Sequence, residues 1–137
     1  MIKPALLALF AAFALSACVV RAAPPPAGPV AYGGWARLGE RWVHGRADRD
    51  VIHVGRADGR FTRLQVVVEH SALEMYDMTI VFGDGSAYSP PLRMVFGQGT
   101  TSRVIDLPGG ARVIRRVEFR YGNLPGGGRA QVELWGA

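Results

Sequence analysis

Glycine and proline are spread so densely through this chain that a long helix has almost nowhere to form. From Trp35 onward, Arg60–Phe82 is the one run longer than eleven residues that avoids both. A glycine inside a helix costs about 1 kcal/mol relative to alanine and a proline about 3 kcal/mol. What remains between the breaks is a series of short apolar runs: Trp35–Leu38, Arg41–His44, Val51–Val54, Phe61–Glu69, Leu73–Phe82, Leu92–Phe96, Arg103–Leu107, Val113–Tyr121 and Ala130–Trp135. Runs of this length, bounded by Gly, Pro, Asp and Ser, read as strands. Turns are expected at Gly39-Glu40, across Gly45–Asp50, and at the hairpin-type sequence Gly83-Asp84-Gly85-Ser86.

Side-chain alternation supports the strands and assigns their faces. Leu64, Val66 and Val68 alternate with Arg63, Gln65 and Glu69. Val117, Phe119 and Tyr121 share one face of their run, and Arg116, Glu118 and Arg120 the other. In the last run Val132 and Leu134 oppose Gln131, Glu133 and Trp135. Leu73–Phe82 changes parity midway, from Leu73 and Met75 to Met78, Ile80 and Phe82. A bulge near Tyr76-Asp77 would keep one face apolar. Asp77 is then expected near the core, paired to an arginine. A helix over 64–78 is the competing reading, because Leu64, Val68, Ala72 and Tyr76 have helical spacing. The consecutive valines Val66, Val67 and Val68 oppose it. The expected fold is all-β, an antiparallel two-sheet sandwich or jelly roll of about nine short strands.

The N-terminal region has a different texture. Lys3 precedes an apolar run from Ala5 to Leu15, which is too short to span a bilayer, since about 20 apolar residues are needed. The run ends in Leu15-Ser16-Ala17-Cys18, which resembles the lipobox of bacterial lipoproteins and holds the chain's single cysteine. That resemblance implies cleavage before Cys18 and a lipid on its sulfur. Two or three acyl chains suffice for anchoring, at about 0.8 kcal/mol per buried methylene. Val19 and Val20 follow, with no adjacent Asp to signal inner-membrane retention. The expected location is therefore the outer membrane, on its periplasmic face. Residues 1–17 read as a signal peptide, 18–34 as the lipidated cysteine with a Pro-rich linker, and 35–137 as the β-domain. Pro24, Pro25, Pro26 and Pro29 favour extended backbone, and 16 linker residues reach about 50 Å at roughly 3.1 Å each.

Charge adds little specificity. Sixteen basic residues face eleven acidic ones, and Lys3 is the only lysine, so arginine supplies all the positive charge beyond the leader. Arginine favours bidentate pairing with phosphate or carboxylate, but the arginines are scattered. Envelope glycans, lipid A phosphates and envelope proteins are the expected partners, together with the membrane through the anchor. Nucleic acid is not. The segment Leu107-Pro108-Gly109-Gly110-Ala111-Arg112 recurs as Leu124-Pro125-Gly126-Gly127-Gly128-Arg129. Each copy is a Pro-Gly turn feeding a strand that begins with arginine.

From Trp35 to Gly136 the chain resembles a family of small uncharacterised β-sandwich proteins of proteobacterial envelopes. The resemblance is carried by Leu38-Gly39-Glu40-Arg41, Asp48-Arg49-Asp50-Val51-Ile52-His53-Val54-Gly55, Val81-Phe82-Gly83-Asp84-Gly85, Ser102-Arg103-Val104-Ile105-Asp106-Leu107-Pro108-Gly109, Arg112-Val113-Ile114-Arg115 and Gly127-Gly128-Arg129-Ala130, leading to Glu133-Leu134-Trp135-Gly136. It implies a sandwich fold and no particular activity. The pattern also looks like galactose-binding-type jelly rolls, which implies ligand recognition by analogy of fold alone.

Chemistry-bearing constellations are sparse. His44 and His53 flank Asp48 and Asp50, and Asp58 follows, so Asp48, Asp50 and Asp58 are the metal candidates, for calcium. Ile52 breaks an EF-type ligand series, and turn chemistry with pairing to Arg46, Arg49 or Arg56 is the simpler role. Ser71, Ser86, Ser89 and Ser102 lie in no Gly-x-Ser-x-Gly elbow. Glu69, Glu74, Asp77, Asp84 and Glu118 offer carboxylates but no spacing that selects a glycosidase pair. No cofactor and no enzymatic activity are expected. Trp35, Trp42, Tyr121 and Trp135 are the ligand-binding candidates: if the first and last strands neighbour one another, their rings could form a sugar-stacking platform. The expected function is a non-enzymatic binding or structural module displayed in the periplasm. A lectin-like carbohydrate- or calcium-binding module is the alternative, and an envelope-polymer hydrolase the third reading.

Overall fold

The computed structural model describes residues 31–44, 48–122 and 128–137. Cys18, the residues read as a signal peptide and most of those read as a linker lie outside them. The described residues form a sandwich of two antiparallel sheets with one 3-10 turn, η1 (Arg56–Asp58). Among them no helix is long and apolar enough to cross a membrane.

One sheet carries β1 (Ala31–Tyr32), β2 (Trp35–His44), β11 (Arg129–Gly136) and β4 (Arg63–Glu69), in that order. The short strands β8 (Thr100–Thr101) and β9 (Ile105–Asp106) both pair with β4. The other sheet runs β3 (Asp48–His53), β10 (Ile114–Tyr121), β5 (Leu73–Phe82), with β6 (Ala87–Tyr88) and β7 (Met94–Phe96) both on β5. Successive long strands change sheet: β2 to β3, β3 to β4, β4 to β5, and β10 to β11. The long strands of each sheet are thus brought together from distant parts of the sequence.

The alternating apolar sets meet between the sheets. Leu64, Val66 and Val68 of β4 and Val132 and Leu134 of β11 are fully buried. They face Met75, Met78 and Ile80 of β5 and Val117 and Phe119 of β10. The 64–78 segment is two strands, as its valines favour, joined by a tight turn at His70. There the Ser71 amide donates to the Glu69 carbonyl (2.9 Å) and His70 takes φ 71°.

The expected bulge in β5 is present. Arg120 pairs with Asp77 and Tyr121 with Met75, so Tyr76 is passed over and the apolar parity is restored. Asp77 does not point toward the core as expected. It stands on the solvent face and pairs with Arg120, whose Nε donates at 2.9 Å. The same alternation that buries Met78 turns its neighbour outward.

Several boundaries differ from the sequence reading. Residues 48–50, within the stretch expected to turn, already form the start of β3 and pair with β10. Ala31–Tyr32, inside the stretch read as linker, already pairs with Trp35 and Ala36. Gly39-Glu40 is not a turn, and β2 runs unbroken from Trp35 to His44. The glycine serves a bulge instead: Arg37 pairs with Trp135 and Gly39 with Leu134, passing over Leu38. Leu38 is buried. A Cβ on Gly39 would lie 2.5 Å from Ile52 Cγ2 of the opposite sheet. Missing side-chain bulk at this point lets the two sheets approach.

The open side of β4 is finished by a side chain. Ser102, between β8 and β9, is buried; its Oγ accepts from the Val66 amide (2.9 Å) and donates to the Arg103 carbonyl (2.8 Å). Its own amide donates to the Val66 carbonyl at 2.7 Å.

Candidate functional site

Strands β2 and β11 are neighbours, so the condition for an aromatic face is met. The β2 bulge sets the composition of that face. Trp35 and Arg37 point outward before it; Glu40 and Trp42 point outward after it. Glu133 and Trp135 alternate outward on β11, as do Arg63 and Gln65 on β4; Gln131 has the same parity but is buried beneath its neighbours. Trp35, Trp42 and Trp135 therefore share the outer surface of one sheet. Trp42 sits opposite Gln131, four residues before Trp135. At about 3.4 Å per residue, Trp42 and Trp135 are separated by about 14 Å along the strands.

Each indole is oriented by polar neighbours. The Arg63 guanidinium carbon lies 5.2 Å from the Trp35 ring centroid, and that of Arg129 lies 4.6 Å from Trp42. Such cation–π contacts contribute about 0.5–1 kcal/mol at exposed sites. His70 also meets Trp42, with ring centroids 4.9 Å apart and planes tilted by 31°. The Trp135 Nε1–H donates to Glu133 Oε2 at 2.9 Å. Arg37 Nη1 bridges the two acids of the face, Glu40 at 2.8 Å and Glu133 at 3.5 Å. Trp42 is the most open of the three tryptophans, 39% exposed.

Tyr121 does not belong to this face. It is buried in the other sheet, stacked with Phe119 at 6.2 Å between centroids. Sharing a strand face with Val117 and Phe119 committed it to the core. The face instead uses residues the sequence did not single out for binding: His70, Arg63 and Arg37. Arg129 was visible as the arginine that follows a Pro-Gly turn, but its partner Trp42 was not.

The carboxylates considered for a metal are dispersed. Asp48 and Asp50 belong to β3, opposite Tyr121 and Phe119 of β10, and Asp58 ends η1. Among the described residues there is no group of three or more His, Cys, Asp or Glu side chains positioned to hold a metal ion.

A family model described as "Domain of unknown function (DUF2541)" matches residues 6–136. No curated protein matches the chain. Among solved structures, a chain described under "Structural and functional characterization of Pseudomonas aeruginosa AlgX" is similar at 16% identity. It covers 72% of this chain, with a TM-score of 0.40. The matched region is 26% of that longer chain.

Proposed function

The chain belongs to the DUF2541 family, and from that premise we propose that it is a non-catalytic, lipid-anchored binding module of the bacterial envelope that holds a glycan on its tryptophan face. The observation that carries the glycan reading is the placement of Trp35, Trp42 and Trp135 on one outer sheet surface, among arginine, carboxylate and amide groups. Sugars present C–H faces that pack on the negative face of an aromatic ring, and hydroxyls that pair with planar polar side chains. The separation of about 14 Å between Trp42 and Trp135 suits an extended oligosaccharide rather than one ring. The anchor rests on Leu15-Ser16-Ala17-Cys18. With the Pro-rich linker it would display the module in the periplasm from the outer membrane.

The test is retention of the full chain on purified peptidoglycan and on lipopolysaccharide, over a salt series. Salt-insensitive retention that is lost in Trp42→Ala or Trp135→Ala supports aromatic stacking. Retention that falls steeply with salt in both variants and wild type assigns binding to arginine–anion contacts and overturns the stacking role. Retention on neither polymer overturns the glycan reading in favour of a protein partner, for which exposed Trp and Arg are the usual anchors.

A further inference from the structure

A second feature lies away from the tryptophans. A cleft of about 410 Å3 opens between η1, the turn after β5 and the turn before β10. It is lined by Arg56, Arg60 and Arg112, with Phe82, Asp84 and Gly109. None of the three tryptophans borders it.

Arg112 is held in place from several directions. Its guanidinium carbon stacks 3.6 Å from the Phe82 ring centroid. Nη2 donates to Asp84 Oδ2 (3.0 Å) and Ser86 Oγ (2.7 Å), and Nη1 donates to the Pro108 carbonyl (3.2 Å). Asp84 is itself fixed by accepting from the Ser86 amide (3.0 Å) and Ser86 Oγ (2.6 Å). A guanidinium has five N–H donors, and these contacts leave Nε–H and one Nη1–H available. Arg56 and Arg60 are exposed, and neither is in an ion pair among the described residues. Arg115, outside the lining, donates through Nη2 to the carbonyl of the lining residue Gly83 at 3.5 Å.

The lining carries three arginines against one aspartate, a net of +2. A phosphate monoester carries about −1.5 to −2 at pH 7, with three strong acceptor oxygens. A single carboxylate would leave the cleft positive. Arginine forks suit phosphate oxygens in bidentate fashion. We propose that this cleft binds a phosphate monoester group, with Arg56 and Arg60 as the free forks and Arg112 supplying fixed charge and single N–H contacts. The phosphate can belong to a soluble sugar phosphate or to a lipid headgroup.

The experiment is calorimetric titration of the full chain in detergent with glucose 1-phosphate, inorganic phosphate and acetate. Alongside it, partition onto phosphatidylcholine vesicles is measured with and without phosphatidic acid. Wild type should bind glucose 1-phosphate saturably, and inorganic phosphate should compete. Arg56→Gln/Arg60→Gln, both on the surface, should weaken binding at least about tenfold, the scale of one charge-assisted contact. Arg112→Lys should weaken it as well while the chain still melts cooperatively. If only phosphatidic acid vesicles gain excess partition, and the double variant removes that excess, the site is a lipid-headgroup site. No saturable binding and no excess partition in wild type would overturn the proposal. So would equal affinity for acetate, or a double variant that binds like wild type. Retention on glycan is a separate readout, so either site can fail without the other.

Discussion

Gly39 and Ile52 are opposed across the sandwich so closely that a methyl group on Gly39 would sit 2.5 Å from Ile52 Cγ2. This contact couples the β2 bulge to the other sheet, and the bulge in turn puts Glu40 and Trp42 on the outer face. Gly39→Ala should cost about 1–3 kcal/mol as overpacking. Ile52→Ala should cost about 2–5 kcal/mol as a cavity. In the double variant the added methyl occupies the vacated space, so the combined loss should be smaller than the sum. Urea denaturation of the four proteins checks this; simple additivity would mean the contact is not what fixes the bulge.

A buried hydroxyl closes the side of the six-stranded sheet. Ser102→Ala removes the acceptor for the Val66 amide and leaves that donor buried. A loss of about 1–3 kcal/mol is expected. The discriminating comparison is Ser89→Ala, whose hydroxyl meets Thr79 on the exposed surface (3.0 Å). Thermal melts should show a clear drop for the first and a shift near zero for the second.

Acid should weaken the hairpin after β5. The Asp84 carboxyl is held below its ordinary value, first by the Ser86 hydroxyl and amide, and further by the nearby Arg112 guanidinium. A carboxyl with a depressed folded pKa contributes stability that is fully present above its unfolded pKa of about 3.9. That contribution is lost as pH falls through the lower folded value. The stability gap between wild type and Asp84→Asn should therefore be flat near neutrality and narrow below about pH 4. Denaturation midpoints of both proteins between pH 7 and pH 3 supply the measurement. A gap that widens on acidification would reverse the sign of the coupling.

The proposed lipid anchor has its own test. Cells expressing the full chain and fed a clickable fatty acid should yield a labelled protein, and Cys18→Ser should be unlabelled and retain its leader. An unlabelled wild type would remove the lipid from the account and leave the β-domain unaffected.

Much of the sandwich was legible because strand alternation is a local signal. The parity change between Met75 and Met78 located the β5 bulge. Tyr121 was expected on the aromatic platform although it shares a face with Val117 and Phe119, and that face is the buried one. Gly39 misled because a glycine that permits a turn also permits a close approach, and only the partner strand decides between them. The tryptophan face was half visible. Alternation set Trp135 opposite Val132 and Leu134, but the neighbours of Trp42 come from the His70 turn and from Arg129, far apart in sequence. The arginine cleft was hidden for the same reason. Arg56, Arg60 and Arg112 look scattered along the chain and converge only when η1 meets the two turns.

Oligosaccharide binding by the outer tryptophans, as proposed, is reported most directly by their own fluorescence. Soluble peptidoglycan glycan fragments titrated into the full chain should produce a saturable change in indole emission, stronger for longer fragments because the rings are spread along the strands. Trp42→Ala should abolish saturation while leaving the melting transition near that of wild type. Emission that stays constant through the titration, or saturation that persists undiminished in Trp42→Ala, would contradict the account.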